Sequence, residues 1–451
     1  MFNKFMLPVV LLGSLLLGSL SVFVGRADGQ VAVAPEVKPA WLTELSAGLK
    51  ESYDSSVFLS GVDPRYLPPG YVVPAGSVAA LRDRPSWLTT VSPRVGVNLA
   101  PLTGVTWLQG LTLGYAPEVV RYQATPSEDY AAQRFTAGLQ AKGEGWSAGA
   151  EEAFTFIDGS KYGPTYPGNY ITAYNIAAVR ERREQIQDRL ALTGRYDLGR
   201  WFVRPTASLL DYDLMTKALS STVYPGYMNY GSRYDVNGGL DGGYQLTSGL
   251  AATLGYRYGH QYQEQFSFMP FRADNDYQRV LAGLEGKPWS WLSVKLQGGP
   301  DFRNYNGLTP VRDQNLVTYY GEASLTATLS PADVVTFKYK QWQWVSSTGK
   351  VTYFDGTYDL GYHRALTQQL GLDLGGRLLT ADYNSGDLTA CARDDWQYTV
   401  SAGLGWAFNA HASMSVGYAL NLGRNDERGV VNPETRDYDE AMVSVGVVLK
   451  Y

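Results

Sequence analysis

Met442-Val443-Ser444-Val445-Gly446-Val447-Val448-Leu449-Lys450-Tyr451 is the stretch whose reading decides the fold. Val443, Val445, Val447 and Leu449 alternate with smaller or polar neighbours, and Tyr451 follows in the same phase. Successive side chains of a strand point to opposite faces, so one face here is apolar with an aromatic end and the other is softer. The same two-residue period recurs upstream. Leu250, Ala252, Leu254, Tyr256 and Tyr258 alternate with Thr253, Gly255 and Arg257; Leu370, Leu372, Leu374 and Leu378 with Asp373, Gly375 and Arg377; Val400, Ala402, Leu404 and Trp406 with Ser401, Gly403 and Gly405. A helix would return apolar residues at intervals of three and four, which none of these segments does.

Short turn-forming clusters punctuate the chain at Pro101-Gly104, Lys142-Gly145, Asp197-Arg200, Gln245-Ser248, Gly286-Ser290, Ser330-Asp333, Ala365-Gln368 and Asn409-His411. The spacing leaves room for two strands and one longer connection between neighbouring turns. Longer connections are expected near Asp54 to Pro85, Asp158 to Asn175, Asp213 to Gly231, His260 to Asp276 and Arg424 to Arg436, all on the opposite rim. With a first strand near Thr43 to Tyr53 and a closing strand near Asp439 to Tyr451, the pattern predicts an all-β fold. It is a transmembrane antiparallel up-and-down β-barrel of about 18 strands, within a range of roughly 16–18. Val443, Val445, Val447, Leu449 and Tyr451 would then form the assembly signal read by the outer-membrane assembly machinery.

The other end reads as an export signal. Lys4 precedes an apolar run from Phe5 to Val24, and Gly25-Arg26-Ala27 offers a small-residue cleavage site, so residues 1–27 are expected to be a signal peptide. Residues 28–40 would be a short periplasmic segment and 41–451 the barrel. Removing the signal leaves 36 basic against 43 acidic residues, a net charge of −7, which argues against nucleic acid as a partner. Past the signal no apolar run approaches the ~18 residues of a membrane helix. The 33 Tyr, 11 Trp and 49 Gly suit strands whose ends meet a membrane interface. Cys391 is the only cysteine, which excludes an internal disulfide and a CxxC-type metal site.

The run Ser46-Ala47-Gly48-Leu49-Lys50-Glu51-Ser52-Tyr53-Asp54-Ser55-Ser56-Val57-Phe58-Leu59-Ser60 resembles the first strand of a family of outer-membrane β-barrel porins. In that family a Tyr-Asp-(Asp/Ser)-(Asn/Ser)-(Val/Ile)-Phe signature leaves the strand for a loop. Ser92-Pro93-Arg94-Val95-Gly96-Val97 resembles the strand that follows, and Ser56 stands where the family more often has Asn. The sharp resemblance covers about fifty residues. It implies an outer-membrane location and a barrel, and for some members a link to exopolysaccharide export.

With the apolar face in lipid, the alternate residues line the interior. The basic pore-lining candidates are Lys50, Arg94, Arg134, Arg183, Arg189, Arg204, Arg257, Arg279, Lys295, Lys338 and Arg377. The acidic ones include Glu44, Glu151, Asp235, Asp241, Glu285, Glu322, Asp359 and Asp373. Such a wall favours polar solutes, with a weak anion preference or only mutually paired charges as its two readings. Tyr162, Tyr166 and Tyr170, and Pro64 through Tyr71, mark loops that would either plug the lumen, stack on sugars or pack outside. The expected function is passive diffusion of small polar solutes, with no cofactor and no metal. The alternatives are a non-porin barrel serving polysaccharide export or attachment, and an outer-membrane hydrolase. The hydrolase would rest on His260 near Asp274 and Asp276, because His363 and His411 fall at the periplasmic rim. Lipid and the assembly machinery are the expected partners, and a homo-oligomer is left open.

Overall fold

The computed structural model describes residues 38–57, 85–159, 184–215, 231–265, 272–306, 315–346, 352–383, 392–428 and 437–451. The expected signal peptide, Arg183, Cys391 and the tyrosine- and proline-rich loop stretches lie outside the described residues.

Nineteen strands are present among the described residues. In chain order they are β1 (Leu42–Asp54), β2 (Ser86–Asn98), β3 (Leu108–Tyr115), β4 (Glu118–Tyr122), β5 (Tyr130–Gly143), β6 (Trp146–Asp158) and β7 (Gln185–Leu198). They continue with β8 (Trp201–Leu214), β9 (Arg233–Thr247), β10 (Leu250–Gln263), β11 (Asn275–Trp289), β12 (Leu292–Tyr305) and β13 (Asn315–Ser330). The last are β14 (Asp333–Val345), β15 (Thr352–Ala365), β16 (Leu370–Tyr383), β17 (Ala392–Ala407), β18 (Ala412–Arg428) and β19 (Tyr438–Lys450). Each is antiparallel to its neighbours, and β1 closes the ring on β19 from Ser46↔Lys450 to Asp54↔Met442. The strands β3 and β4 share one place between β2 and β5. Pro117, which lacks an N–H for the ladder, stands between them. The molecule is therefore a closed antiparallel barrel of 18 strand positions.

All eight short turns of the sequence reading join consecutive strands at one rim. Two of the two-residue turns, Glu144-Gly145 and Gly199-Arg200, hold their glycines at φ 73° and φ 67°. A side chain would strain the backbone there by about 1–2 kcal/mol. The turn at Pro101-Gly104 is longer than expected and holds a one-turn helix, α1 (Ala100–Thr103). At the other rim the strands outrun the membrane. The connection expected from His260 to Asp276 shrinks, because β10 runs to Gln263 and β11 starts at Asn275.

Burial separates the two faces. Leu49, Val91, Leu240, Leu254, Leu360, Val400 and Val445 are large apolar side chains exposed on the outward face. In water such a belt would be an aggregation surface; in hydrocarbon it is the matching one. Aromatics bound it. Trp107, Trp146, Trp201, Trp289, Trp291 and Trp406 stand at the short-turn rim, and Tyr53, Trp87, Tyr258, Phe302, Tyr319 and Tyr398 toward the other. Trp406 and Tyr398 are eight residues apart on β17, and Phe302 of β12 is eleven residues past Trp291, which immediately precedes that strand. At roughly 3.3 Å per residue and a tilt near 40° this rises roughly 20–28 Å, the height of an apolar membrane band. Carboxylates interrupt the outward face, among them Glu51, Glu152 and the cross-strand pair Asp188 and Asp211. Glu51 accepts a 2.6 Å hydrogen bond from Thr89 Oγ1, and Glu152 shares the phase of Trp146 and Phe154.

The barrel departs from a plain cylinder in one place. β13 and β14 are paired only from Ser330↔Asp333 up to Gly321↔Gln341. Above that level β13 stays with β12 to Asn304↔Asn315, while β14 stays with β15 to Val345↔Thr352. Gly321 lies nine residues above Ser330, close to the 9–11 residues that cross a bilayer. The wall splits where water again satisfies backbone groups, as a membrane barrel requires.

Candidate functional site in the barrel interior

The face opposite the exposed aliphatic residues carries the charge. Lys50, Arg94, Arg134, Glu151, Arg189, Arg204, Arg257, Arg279, Glu285, Lys295, Glu322, Lys338, Asp373 and Arg377 all have the inward phase of their strands. This is what strand alternation demands once the outward residues are known. Asp235, Asp241 and Asp359 share it.

Seven of these charges are held, with Asp301, Arg303 and the Arg195–Asp197 pair, in two networks on one side of the wall. Near the short-turn rim, Arg204 donates from Nε to Asp241 at 2.9 Å and from Nη1 to both Glu285 oxygens at 2.9 Å. Asp241 also takes Arg257 at 2.7 Å, and Arg195 bonds Asp197 at 2.8 Å with its guanidinium 3.7 Å over the Phe202 ring. Higher up, Asp301 receives Arg279 at 2.9 Å and Arg303 at 2.8 Å. Arg303 also donates to Gln261 at 2.8 Å and Asn275 at 2.9 Å, while Arg279 lies 3.9 Å over Tyr320. Tyr320 in turn donates to Glu322, which Gln297 and Lys295 also approach. Low dielectric strengthens such attractions but makes any unpaired charge costly, so these networks fix side chains in place.

The far wall is sparser. Arg134 meets Glu118 at 3.5 Å, Arg377 bonds Asp359, and His363 Nδ1 lies 2.8 Å from Asp373. Lys50, Arg94 and Lys338 form no ion pair among the described residues, and Lys340 rests its ammonium 4.3 Å over Trp342. Among the described residues Lys50, Arg94 and Lys338 are thus cations without an ion pair to hold them from a solute. Lys50 and Arg94, on β1 and β2, stand nearly half a turn of the ring away from the Arg279 network on β11 and β12.

Several inward residues escaped the sequence reading: Asp301, Arg303, Arg233 and Lys340. Asp301 and Arg303 lie on a β12 that continues five residues past Pro300. Above the membrane no apolar outward face is required to mark a strand, so these residues read as loop. The hydrolase alternative meets a different geometry from the one expected. His260 and Asp276 are paired strand residues on the outward face, with Nδ1 at 2.9 Å from Asp276, not loop residues. Among the described residues no serine hydrogen-bonds to His260. His411 lies in the turn between β17 and β18, as expected. The apolar residues Val443, Val445, Val447 and Leu449 hold the outward face of β19, and Tyr451 donates its backbone N–H to Leu45.

No protein-family model matches the chain, and no curated protein does. Solved structures do. The chain is similar to OpdK of Pseudomonas aeruginosa with vanillate at 12% identity and TM-score 0.42, over 90% of this chain and 98% of that one. It is similar to OccAB4 of Acinetobacter baumannii at 10% and 0.41, over 92% and 100%, and to the siderophore receptor PirA of the same organism at 8% and 0.38, over 91% and 81%. At such identities and scores nothing about cargo transfers, and the barrel stands on its own register and burial.

Proposed function

We propose that the barrel sits in the bacterial outer membrane, delivered there by residues 1–27 as a cleaved export signal, and passes small polar solutes by diffusion. The observation that carries this reading is the sorting of charge: apolar residues exposed outside, and Lys50, Arg94 and Lys338 in the inward phase with no ion-pair partner among the described residues. A cation without a counter-charge on a wet wall attracts mobile anions and repels mobile cations. A modest anion preference follows. In planar bilayers under a KCl gradient the protein is expected to show steady open steps with a reversal potential on the chloride side. Replacing Lys50, Arg94 and Lys338 together by Glu is expected to move that potential to the potassium side. An absence of open steps would remove the channel reading; an unmoved potential would remove only the role of these three residues.

The aromatic-ended outward face of β19 supports recognition by the assembly machinery. Tyr451→Ala is expected to reduce the folded, heat-modifiable fraction in outer membranes several-fold. Unchanged assembly would assign that role elsewhere.

A further inference from the structure

The upper part of β14 does not follow the wall. Gln261 Nε2 donates to the Gln343 carbonyl at 3.1 Å, Gln263 Nε2 to the Ser346 carbonyl at 2.6 Å, and Arg233 Nη1 to the Val345 carbonyl at 2.6 Å. The donors belong to β10 and β9, four and five positions around the ring from β14. Their side chains have the inward phase. Strands that far apart touch only across the interior, so the end of β14 lies as a chord through the barrel.

The chemistry of the crossing is specific. The Gln343 and Val345 carbonyls, two residues apart, share one edge of the strand. That edge has lost β13, and Gln261 and Arg233 stand in for the missing neighbour. The Arg233 guanidinium also lies 4.7 Å over Trp344 and 3.1 Å from the Tyr353 hydroxyl. Trp344, Val345 and Tyr353 pack with Tyr305, Tyr383 and Ala273 in one buried cluster. Buried backbone carbonyls demand donors, so the segment has a defined seat and is no stray strand end.

We infer that residues 342–346 of β14, with the facing part of β15, form a strap that sets the narrowest cross-section of the barrel. Arg233, Gln261 and Gln263 are the positioning residues that latch it. The inference rests on the channel reading for its consequence but not for its geometry. Solutes pass beside the strap, past Lys340 and Trp342 on its lower approach, so size selection and the paired charges of Arg279, Asp301 and Arg303 act at the same level.

The test joins the strap to its seat and then releases it. In a Cys391→Ser background, Gln263→Cys and Ser346→Cys would be bridged by a short reducible bifunctional thiol reagent. High bridging yield in the folded barrel and a conductance within a few tens of per cent of the parent are expected. Adding reductant during the recording should raise conductance at least twofold, since the hydrogen bond has been removed as well. The double variant Gln261→Ala/Gln263→Ala, which leaves Arg233 intact, should show the same rise in a barrel that remains heat-modifiable. Failure to bridge in a folded barrel would overturn the strap's position, and a conductance indifferent to reduction would overturn its role. A cysteine variant that bridges while neither it nor its parent conducts would sink the channel reading and leave the crossing intact.

Discussion

Asp301→Ala is expected to be among the most damaging single substitutions in the barrel, costing about 3–5 kcal/mol. Asp301 is fully buried and accepts from two guanidiniums, Arg279 at 2.9 Å and Arg303 at 2.8 Å, both themselves buried. Removing the carboxylate leaves two cations facing each other in a site with little water, and neither can neutralise by losing a proton at ordinary pH. Arg303 would keep Gln261 and Asn275 as partners, but these are neutral acceptors. The check is urea unfolding of the detergent- or lipid-refolded protein, followed by loss of heat-modifiable mobility. A midpoint shift worth less than about 1 kcal/mol would show that the network is solvated and contributes little. Adding Arg303→Leu to Asp301→Ala should recover part of the loss, because the unpaired charge goes with it.

Val400→Arg is expected to destabilise the barrel by about 2–4 kcal/mol, while Ser401→Arg on the next residue costs far less. Val400 is 62% exposed on the outward face of β17 and lies six residues from Trp406 at the short-turn rim. That places a charge near the middle of the apolar band. Ser401 has the opposite phase, facing Gly375 across the strand pair, and an arginine there reaches the interior. The same unfolding measurement in lipid vesicles, run on both variants, checks the sign of the difference. Equal cost, or a larger cost at Ser401, would contradict the assignment of the two faces and with it the membrane placement.

The alternation that makes these two neighbours so different was legible without coordinates. Period-two patterning was plain in β10, β12, β16, β17 and β18, and it gave Arg257, Lys295, Asp373 and Arg377 the phase opposite to their apolar neighbours; Arg183 lies outside the described residues. Turn chemistry at Gly145 and Gly199 marked hairpins because only a residue without a Cβ accepts those dihedrals cheaply. One further feature was readable and went unread. Glu151 and Glu152 are adjacent in β6, and adjacent strand residues face opposite sides, so one carboxylate had to point outward.

What stayed hidden had a physical cause. Beyond the upper interface nothing forces an apolar outward face, so the ends of β10 and β12 lose the pattern that would reveal them as strands. The Asp301, Arg303 and His260 environments were invisible for that reason. The interrupted strand shared by β3 and β4 needed knowledge of its partners, since Pro117 alone reads as a break between two strands rather than a kink within one.

Local chemistry by itself determined that this chain pleats, where it turns and which side of each strand is greasy, because those properties depend on neighbours two residues away or fewer. Only the tertiary structure decided that β1 meets β19, that Asp301 is shared by Arg279 and Arg303, and that the end of β14 leaves its neighbour for side chains of β9 and β10 across the interior. Contacts of that kind join residues tens to hundreds of positions apart, and they arise from ring closure and the need to satisfy buried polar groups, which no short window of residues records.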